Sequence, residues 1–386
     1  MLVINEALKE TWLDAAAPAG SPLAALVADY RAAEKRIVPD RVVGSMADWR
    51  EGADARLAIR GVPDDLGKAV PRGTIRFLRD TIPDSDVFTP PPGTSGRLEF
   101  ARSIVDPRNP LTARVWANRV WLHLCGEGLV RTPDDFGHLG EPPVHGPLFD
   151  HLASRFVEEG WSTKKLVREI VRSATWRQAS AARPENLAVD PENRLWHHHP
   201  RRRLEAEAIR DSMLAVSGRL DRTLGGPPID PHRAKEDPAK RLVSGPVDSH
   251  GRRSIYIKMT LMEPPRFLAV FNQPLPRVTV GKRDRSTVPE QALALLNDPF
   301  VAAMAEAWAS RTVATAPASV AVGTASMLTA AFGHEPDTER VHRLVAVAEA
   351  CGLARGVPSD ALAASTAVWK DVAHAILLMQ EFSHVE

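Results

Sequence analysis

The spacing of apolar residues predicts a mainly α-helical protein. Leu148, Leu152 and Phe156 recur at four-residue intervals, which places their side chains on one face of a helix. Ser162 then offers the side chain of an N-cap residue for the next helix. The same periodicity is found in most of the segment from 97 to 230, and it returns in alanine-rich segments after residue 286.

Capping residues predict where several of these helices begin and end. A helix beginning at Arg97 is interrupted by two X-Pro pairs at 106–107 and 109–110, and a second helix then runs to Gly126. The TVPE segment at 287–290 has the sequence of a capping box. Asp298 before a proline and Asp337 before an apolar run are further N-cap candidates.

Short β-branched and aromatic runs predict a small β element inside this helical protein. RSIYIK at 253–258 is the clearest strand pattern, and RVVGSM at 41–46 and RLAIRG at 56–61 are weaker ones. Proline- and glycine-rich segments between them, such as TPPPGTSG at 89–96, predict long loops. The predicted fold is therefore a multi-helical domain with a small β element and long Pro/Gly-rich loops.

Composition narrows the class of protein. Hydrophobic residues make up 44% and charged residues 25% of the 386 residues, as in ordinary globular proteins. The net charge of +1 argues against a general nucleic-acid binder, which needs an excess of lysine and arginine. The two cysteines are not in a CxxCH pattern, so we expect no covalent haem in this chain. We also expect no membrane span, and the N-terminal sequence lacks the pattern of a secretion signal.

Large polar-tipped side chains are concentrated in the helix that follows residue 111. Asn118, Arg119, Trp121 and His123 lie three or four positions apart, so pairs of them share neighbouring helix faces. One interpretation is a ligand-facing wall with an amide, an anion-binding guanidinium and a stacking ring. The other, somewhat favoured, is structural: the tryptophan is core and the polar groups tie the helix to adjoining loops.

The loop TPDDFGHLGEPPVH at 132–145 collects carboxylates and imidazoles. Asp134, His138 and His145 are weak candidates for metal ligands, and Asp135 is a candidate for ligand binding. Their spacing matches no established metal motif, and two prolines fix the loop without a metal. The alternative is that an aspartate caps a turn, and no metal site is predicted.

Three basic clusters raise the prospect of an anion site. They occupy residues 201–203, 252–253 and 282–285, and Arg202 and Arg253 are the candidate ligand-binding residues among them. Arginine pairs well with carboxylate, sulfate and phosphate. If the clusters converge in space they form an anion-binding cleft, and if they spread over the surface they are solvated charges.

Motifs of common catalytic sites are missing from the sequence. There is no GxSxG, no phosphate-binding glycine loop and no HExxH. Glu205 or Asp211 could pair with a second carboxylate for glycoside cleavage, but the sequence does not identify that partner. Whether the protein is an enzyme stays open at this stage.

Five segments in order resemble the blocks of a planctomycete domain of unknown function, the one numbered 1553 and also called planctomycete-specific domain one. They are NPLTARVWANRVWLHLCGEGLV, TPDDFGHLGEPPVH, GWSTKKLVREIVRSATWRQ, RRRLEAEAIRDSMLAVSGRLD and STVPEQALALLNDPF. The resemblance covers residues 97–386, which we take as the helical domain. Residues 1–96 are similar to the linker and remnant of a preceding region. The family pattern implies no role for Cys125.

What this resemblance implies is mostly context. Such domains form the C-terminal part of long exported proteins, behind a sister domain of unknown function and often a cytochrome c domain. The resemblance thus implies a periplasmic or cell-envelope setting, with haem c in a preceding domain of the parent protein. Because this chain has neither haem motif nor export signal, we expect it to be a C-terminal fragment or a truncated reading frame.

Two function classes follow from the residues and the resemblance. The favoured one is a binding or accessory module for an anionic ligand or polysaccharide, working with a cytochrome c domain. The alternative is an enzyme, either a carbohydrate-active hydrolase or a redox enzyme coupled to that cytochrome. The binding module is favoured because no catalytic constellation is readable.

Overall fold

The computed structural model describes residues 20–36, 52–73, 90–91, 93–237, 239, 242–261 and 263–385. The chain divides into two compact units, Met1–Ile104 and Val105–Glu386. The sequence pattern predicts that the helical domain starts at residue 97, whereas the boundary between the units lies after Ile104. None of the described helices is both long and apolar enough to cross a membrane.

The described part of the first unit contains two helices and a small β-hairpin. Helix α1 spans Pro22–Arg36 and α2 spans Arg97–Ile104. Strands β1, Ala55–Ala58, and β2, Leu66–Val70, pair in antiparallel register with one irregularity. The hairpin confirms the first half of the β element predicted at 56–61, whereas Ile59–Gly61 forms a 3-10 turn. Most side chains of the hairpin are exposed.

The second unit is mainly α-helical and confirms the predicted fold class. Its helices are α3 Thr112–Cys125, α4 Gly146–Glu158, α5 Thr163–Arg172, α6 Pro184–Val189, α7 Ala206–Val216, α8 Arg266–Val270, α9 Pro289–Asn297, α10 Pro299–Ala314, α11 Val320–Phe332, α12 Thr338–Arg355 and α13 Thr366–Leu377. A two-stranded antiparallel sheet joins β3, Arg202–Arg203, to β4, His384–Val385.

Two hydrophobic clusters form the interior of this unit. The smaller packs α3, α4 and α5 around residues such as Leu129 and Trp196. The larger packs α7, α8 and the helices from α10 to α13, and Trp369 lies fully buried within it. Burying apolar surface at about 25 cal/mol per Å² is the main driving force for both.

Side-chain caps explain several helix starts that the sequence predicted. Ser162 accepts a hydrogen bond from the amide of Lys165 at the start of α5. Asp298 and Asp337 cap α10 and α12 in the same way. These bonds satisfy amide groups that have no partner inside the helix.

The strand predicted at 253–258 is wrong. Ser254–Tyr256 forms a 3-10 turn, and only Ile257 makes an isolated bridge, with Ile229. Oδ1 of Asp211 accepts both the amide and the hydroxyl of Ser254, at 2.8 and 2.7 Å. That amide is therefore unavailable to a neighbouring strand, and local propensity is overridden by a tertiary contact.

The capping box predicted at 287–290 is also wrong. The N-cap residue of α9 is Val288, and no side chain caps it. Pro289 occupies the first turn, as expected, and removes one of the amides that a cap would have served. The strand pattern at 41–46 lies outside the described residues. The apolar spacing also predicts a short helix before Pro18, and that segment lies outside them as well.

Candidate anion-binding site

The basic run at 201–203 does not lie in a helix. The apolar spacing predicts a helix over roughly 203–218, but α7 begins at Ala206, and Arg202 and Arg203 form strand β3. Their side chains line a cleft of about 310 Å³ together with the end of α3 and the segment after α8. We call this space the arginine cleft.

Two arginines of the cleft bind the C-terminal end of α3. Nη1 of Arg202 donates to the carbonyl of His123 at 2.5 Å, and Nη2 of Arg285 donates to the carbonyl of Gly126 at 3.1 Å. The last carbonyls of a helix lack partners and carry partial negative charge, so cations are favoured there. Neutral backbone carbonyls therefore hold both guanidinium groups in place.

A third arginine fixes the base of the loop that forms one wall. Arg203 donates to the carbonyl of Ser286, to Oε1 of Gln291 at 2.9 Å and to Oδ1 of Asn272 at 2.5 Å. Asn272 in turn donates to the hydroxyl of Ser286 at 2.9 Å. The loop between them, residues 273–285, is therefore closed at its base, and we call it the strap.

The middle of the strap is held by acids from the region after α3. The amide of Gly281 donates to Oδ2 of Asp134 at 2.8 Å. Nζ of Lys282 contacts both carboxylate oxygens of Glu127, at 2.7 and 2.8 Å. The strap is thus attached at its base and its middle, and its apolar side chains form a wall of the cleft.

The charges of the arginine cleft are unevenly compensated. Lys282 pairs with Glu127, and Arg283 pairs with Glu207 at 2.6 Å and with Glu205 at 3.5 Å. By contrast, Arg202, Arg203 and Arg285 donate to neutral acceptors. In the described part of the chain, no carboxylate lies within ion-pair distance of these three arginines.

Burial and mutual repulsion act on those arginines. Burial lowers the pKa of the Arg202 and Arg203 guanidinium groups, and the charge of Arg285 lowers it further. Both groups stay cationic, since arginine is protonated at any physiological pH. Nε of Arg203 is buried without a hydrogen-bond partner among the described residues. An anion in the cleft would relieve this repulsion and accept hydrogen bonds.

The candidates on α3 separate into buried and exposed residues. Asn118 is fully buried and exchanges two hydrogen bonds of 2.9 Å with the backbone of Val130. Trp121 is buried, and its ring meets that of Trp196 edge-on at 5.4 Å. Neither lines the arginine cleft. Both contacts connect α3 to the chain that follows it.

The other two candidates on α3 differ in their position. His123 lines the arginine cleft with 64% of its side chain exposed, and its Nδ1 lies 3.8 Å from Oε1 of Glu205. Arg119 is half-buried and does not line the cleft, and its buried Nε has no hydrogen-bond partner in the described part of the chain. His123 is thus the member of the group placed to meet a ligand.

The aspartates of the 132–145 loop serve different contacts. Asp134 holds the strap, whereas Oδ1 of Asp135 accepts the amide of Gly137 at 2.8 Å in a local turn. His138 is exposed and His145 is half-buried at the start of α4. No group of three or more His, Cys, Asp or Glu side chains in the described ranges could hold a metal ion.

The basic pair at 252–253 does not reach the arginine cleft. Nε of Arg253 lies 3.5 Å from Oδ2 of Asp211. Arg252 stacks over the ring of Tyr256 at 4.0 Å and donates to the carbonyl of Thr223 at 2.6 Å. Of the three basic clusters, the structure therefore brings together those at 201–203 and 282–285.

Sequence reasoning included Arg285 in the 282–285 cluster without singling it out as a site residue, and it missed Asn272 and Gln291. Arg285 is one of four charged residues in a row, and nothing in that row distinguishes it. Asn272 has a left-handed φ of 65°. Asparagine tolerates that region, so Asn272 itself was a usable signal for a turn.

Comparison with known proteins now adds to this geometry. The profile of the family PSD1, a protein of unknown function (DUF1553), matches residues 96–348. The chain belongs to this family. The match spans α3, strand β3 and the strap, so every wall of the arginine cleft lies inside the PSD1 region. Neither the curated proteins nor the solved structures include a match to this chain.

Proposed function

We propose that this PSD1 domain is a binding module for an anionic ligand and that the arginine cleft is its site. The observation that carries the proposal is the group of three arginines, Arg202, Arg203 and Arg285, held by neutral acceptors. Arginines that serve only the fold are usually paired with acids. Here the positive charge faces an open cleft of about 310 Å³.

Three acids around the cleft are already engaged. Glu205 and Glu207 contact Arg283, and Glu127 contacts Lys282. A carboxylate or sulfate that enters the cleft would therefore meet guanidinium groups with free N–H donors, since each guanidinium carries five. Arginine presents these donors in a planar fork that matches the oxygens of both anions.

The opposite wall of the cleft is apolar. Leu275, Val278 and Val280 of the strap are exposed and line the cleft, together with Pro274 and Pro276. A ligand with an anionic group on one side and C–H groups on the other fits both walls. A uronic or sulfated sugar has this character, which supports an anionic polysaccharide as the ligand class.

A cytochrome-linked cell-envelope setting belongs to this proposal as its context. A module that holds an anionic polysaccharide suits a protein exported to the periplasm or envelope. The haem would then lie in a separate cytochrome c domain of the parent protein, beside the sister domain. The support for this context is the resemblance of the signature blocks, and the cleft itself does not depend on it.

One observation favours an enzyme as the second candidate. Glu205 and Asp284 are two carboxylates that line the same cleft, and glycoside hydrolases act with such a pair. If the domain hydrolyses its glycan, Glu205→Gln abolishes the release of reducing ends. If the domain is a binding module, Glu205→Gln still binds the glycan, and neither the native protein nor the variant releases reducing ends.

Calorimetric titration of the protein with matched oligosaccharides tests the proposal. The probes are an oligogalacturonate, a sulfated galactan oligomer and a neutral galactan oligomer of equal length. We expect saturable binding of at least one charged oligomer, weakened by added salt because the contacts are ionic. The neutral oligomer should bind at least about tenfold more weakly. Equal binding of all three, or no binding, would overturn the proposal.

A further inference from the structure

A second cavity in the Val105–Glu386 unit has a different chemistry from the arginine cleft. It encloses about 300 Å³ beside the starts of α8 and α10 and shares no lining residue with the cleft. Ile257, Phe267, Leu268 and Phe300 line it and are all buried. The rings of Phe267 and Phe300 meet edge-on at 5.5 Å. Part of the cavity wall is therefore continuous apolar surface.

A buried arginine stands against this apolar surface. The Arg210 side chain is only 4% exposed, and its guanidinium lies 4.9 Å from the centre of the Phe300 ring. It donates to the carbonyls of Arg252 and Asp248 at 3.0 and 2.9 Å. Its nearest carboxylate oxygen is Oδ1 of Asp211 at 3.7 Å, which already accepts both donors of Ser254.

More positive charge surrounds the cavity. Arg233 is also nearly buried, and its Nη1 forms an ion pair with Oε1 of Glu263 at 3.3 Å. The Glu263 side chain is half-exposed. Lys235 and Arg266 are exposed and line the cavity. Within the described ranges no carboxylate lies at ion-pair distance from either of them. The lining contains one other acid, Asp298, and its carboxylate caps α10 by accepting the amide of Phe300 at 2.9 Å.

We infer that this second cavity binds a small organic acid whose hydrocarbon part lies on Ile257, Phe267 and Phe300 and whose carboxylate meets Lys235 and Arg266. The volume suits a compact ligand, and cavities of roughly 300 Å³ and more are those that hold small molecules. The apolar wall supplies affinity, and the exposed cations supply the preference for an anion.

Simpler occupants would each leave part of the cavity lining without a matching contact. A neutral hydrocarbon would offer no negative charge to Lys235 and Arg266. Inorganic sulfate would offer no apolar surface to Phe267 and Phe300. Burial lowers the pKa of Arg210 to about 10, which is the direction expected for a buried cation that its neighbours only partly balance. An organic anion offers an apolar body and a charge together.

The test uses hexanoate and 1-hexanol, which share a chain length and differ in charge. Titration is followed by ligand-observed NMR on the full chain. We expect saturable hexanoate binding. Hexanol and sodium sulfate should bind at this site at least about tenfold more weakly than hexanoate. Equal affinity for hexanol, or no hexanoate binding, would overturn the inference.

Variants locate the site. Ala234 is exposed and lines the cavity, so Ala234→Trp should obstruct it and remove hexanoate binding. Lys235→Gln and Arg266→Gln, combined in one variant, should weaken hexanoate binding by about fivefold and leave hexanol binding unchanged. Arg285→Gln, in the arginine cleft, is the matched control and should have no effect. If Arg285→Gln removes hexanoate binding and Ala234→Trp does not, the acid binds elsewhere and the inference is wrong. Should Ala234→Trp fail to fold, the charge-removing pair and the hexanoate–hexanol comparison decide.

Discussion

The amide of Gly281 donates to Oδ2 of Asp134 at 2.8 Å, across 147 residues of chain. A Cβ atom at position 281 would lie 2.1 Å from Oδ1 of the same carboxylate. The close approach, and not a left-handed backbone, therefore favours glycine at 281. The contact fastens the strap to the loop that follows α3.

Gly281→Ala should consequently loosen the strap. Its methyl group would displace Asp134 and remove one hydrogen bond, at a cost of about 1 kcal/mol for an exposed contact. Hydrogen exchange followed by mass spectrometry should show faster exchange in residues 273–285. Gly146→Ala, where the added Cβ would have no heavy atom within 4 Å, is the matched control. Unchanged exchange in the strap would show that the contact does not hold it.

Asn118 should be needed for the fold. Asn118→Leu keeps the approximate size but leaves the buried amide and carbonyl of Val130 unpaired. The free energy of unfolding should fall by ~2–3 kcal/mol. His123→Ala, five residues after Asn118 on α3 and mostly exposed, should change it by less than about 0.5 kcal/mol. Urea denaturation of both variants measures the difference, and equal effects would contradict this assignment.

Glu207 should make stability depend on pH. Burial raises the pKa of its carboxyl group, but hydrogen bonds and charge from Arg283 outweigh this, so the pKa lies below its ordinary value of 4.5. A depressed carboxyl pKa stabilises the folded state above the unfolded pKa, and this contribution is lost as the pH falls through the folded pKa. Glu207→Gln should therefore lower the free energy of unfolding at about pH 7. At about pH 3 the free energies of unfolding of the variant and the native protein should differ less.

Urea titrations of the native protein and Glu207→Gln at both pH values measure this effect. Asp371→Asn removes a carboxylate that pairs with Arg355 at 2.8 Å and is a control outside the cleft. A difference between the native protein and Glu207→Gln that stays constant or grows on acidification would show that the ion pair with Arg283 does not stabilise the fold.

Cys125 should be chemically inert in the folded protein. Burial raises the pKa of its thiol to about 12, so almost no thiolate is present at neutral pH. In a Cys351→Ser background, iodoacetamide at about pH 8 should leave Cys125 unmodified in the native protein and alkylate it after denaturation. Mass spectrometry of the intact protein reads this out. Labelling of the native protein at the denatured rate would contradict the burial of Cys125.

Helix positions were largely predictable because their signals are local. Ser162, Asp298 and Asp337 cap their own helices, and each bond spans two or three residues. The strand at 253–258 was mispredicted because its amide is taken by Asp211, more than 40 residues earlier in the sequence. Local patterns contain no information about such a partner.

The site was predictable only in part for the same reason. The sequence indicated that basic clusters would matter if they converged, and it named Arg202 and His123. It could not tell that the 282–285 cluster would reach strand β3 while the 252–253 pair would not. Arg203 reaches Ser286 across 83 residues. Convergence of this kind is set by tertiary packing, which positions the strap.

The central claim is that Arg202, Arg203 and Arg285 bind an anion. Its most direct test is calorimetric titration of the oligogalacturonate and the sulfated galactan oligomer into Arg285→Gln and into Arg343→Gln, an exposed arginine outside the cleft. Both variants lose one positive charge. We predict that Arg285→Gln weakens binding by about tenfold or more while Arg343→Gln leaves it within about twofold. Equal affinities in the two variants would contradict the account.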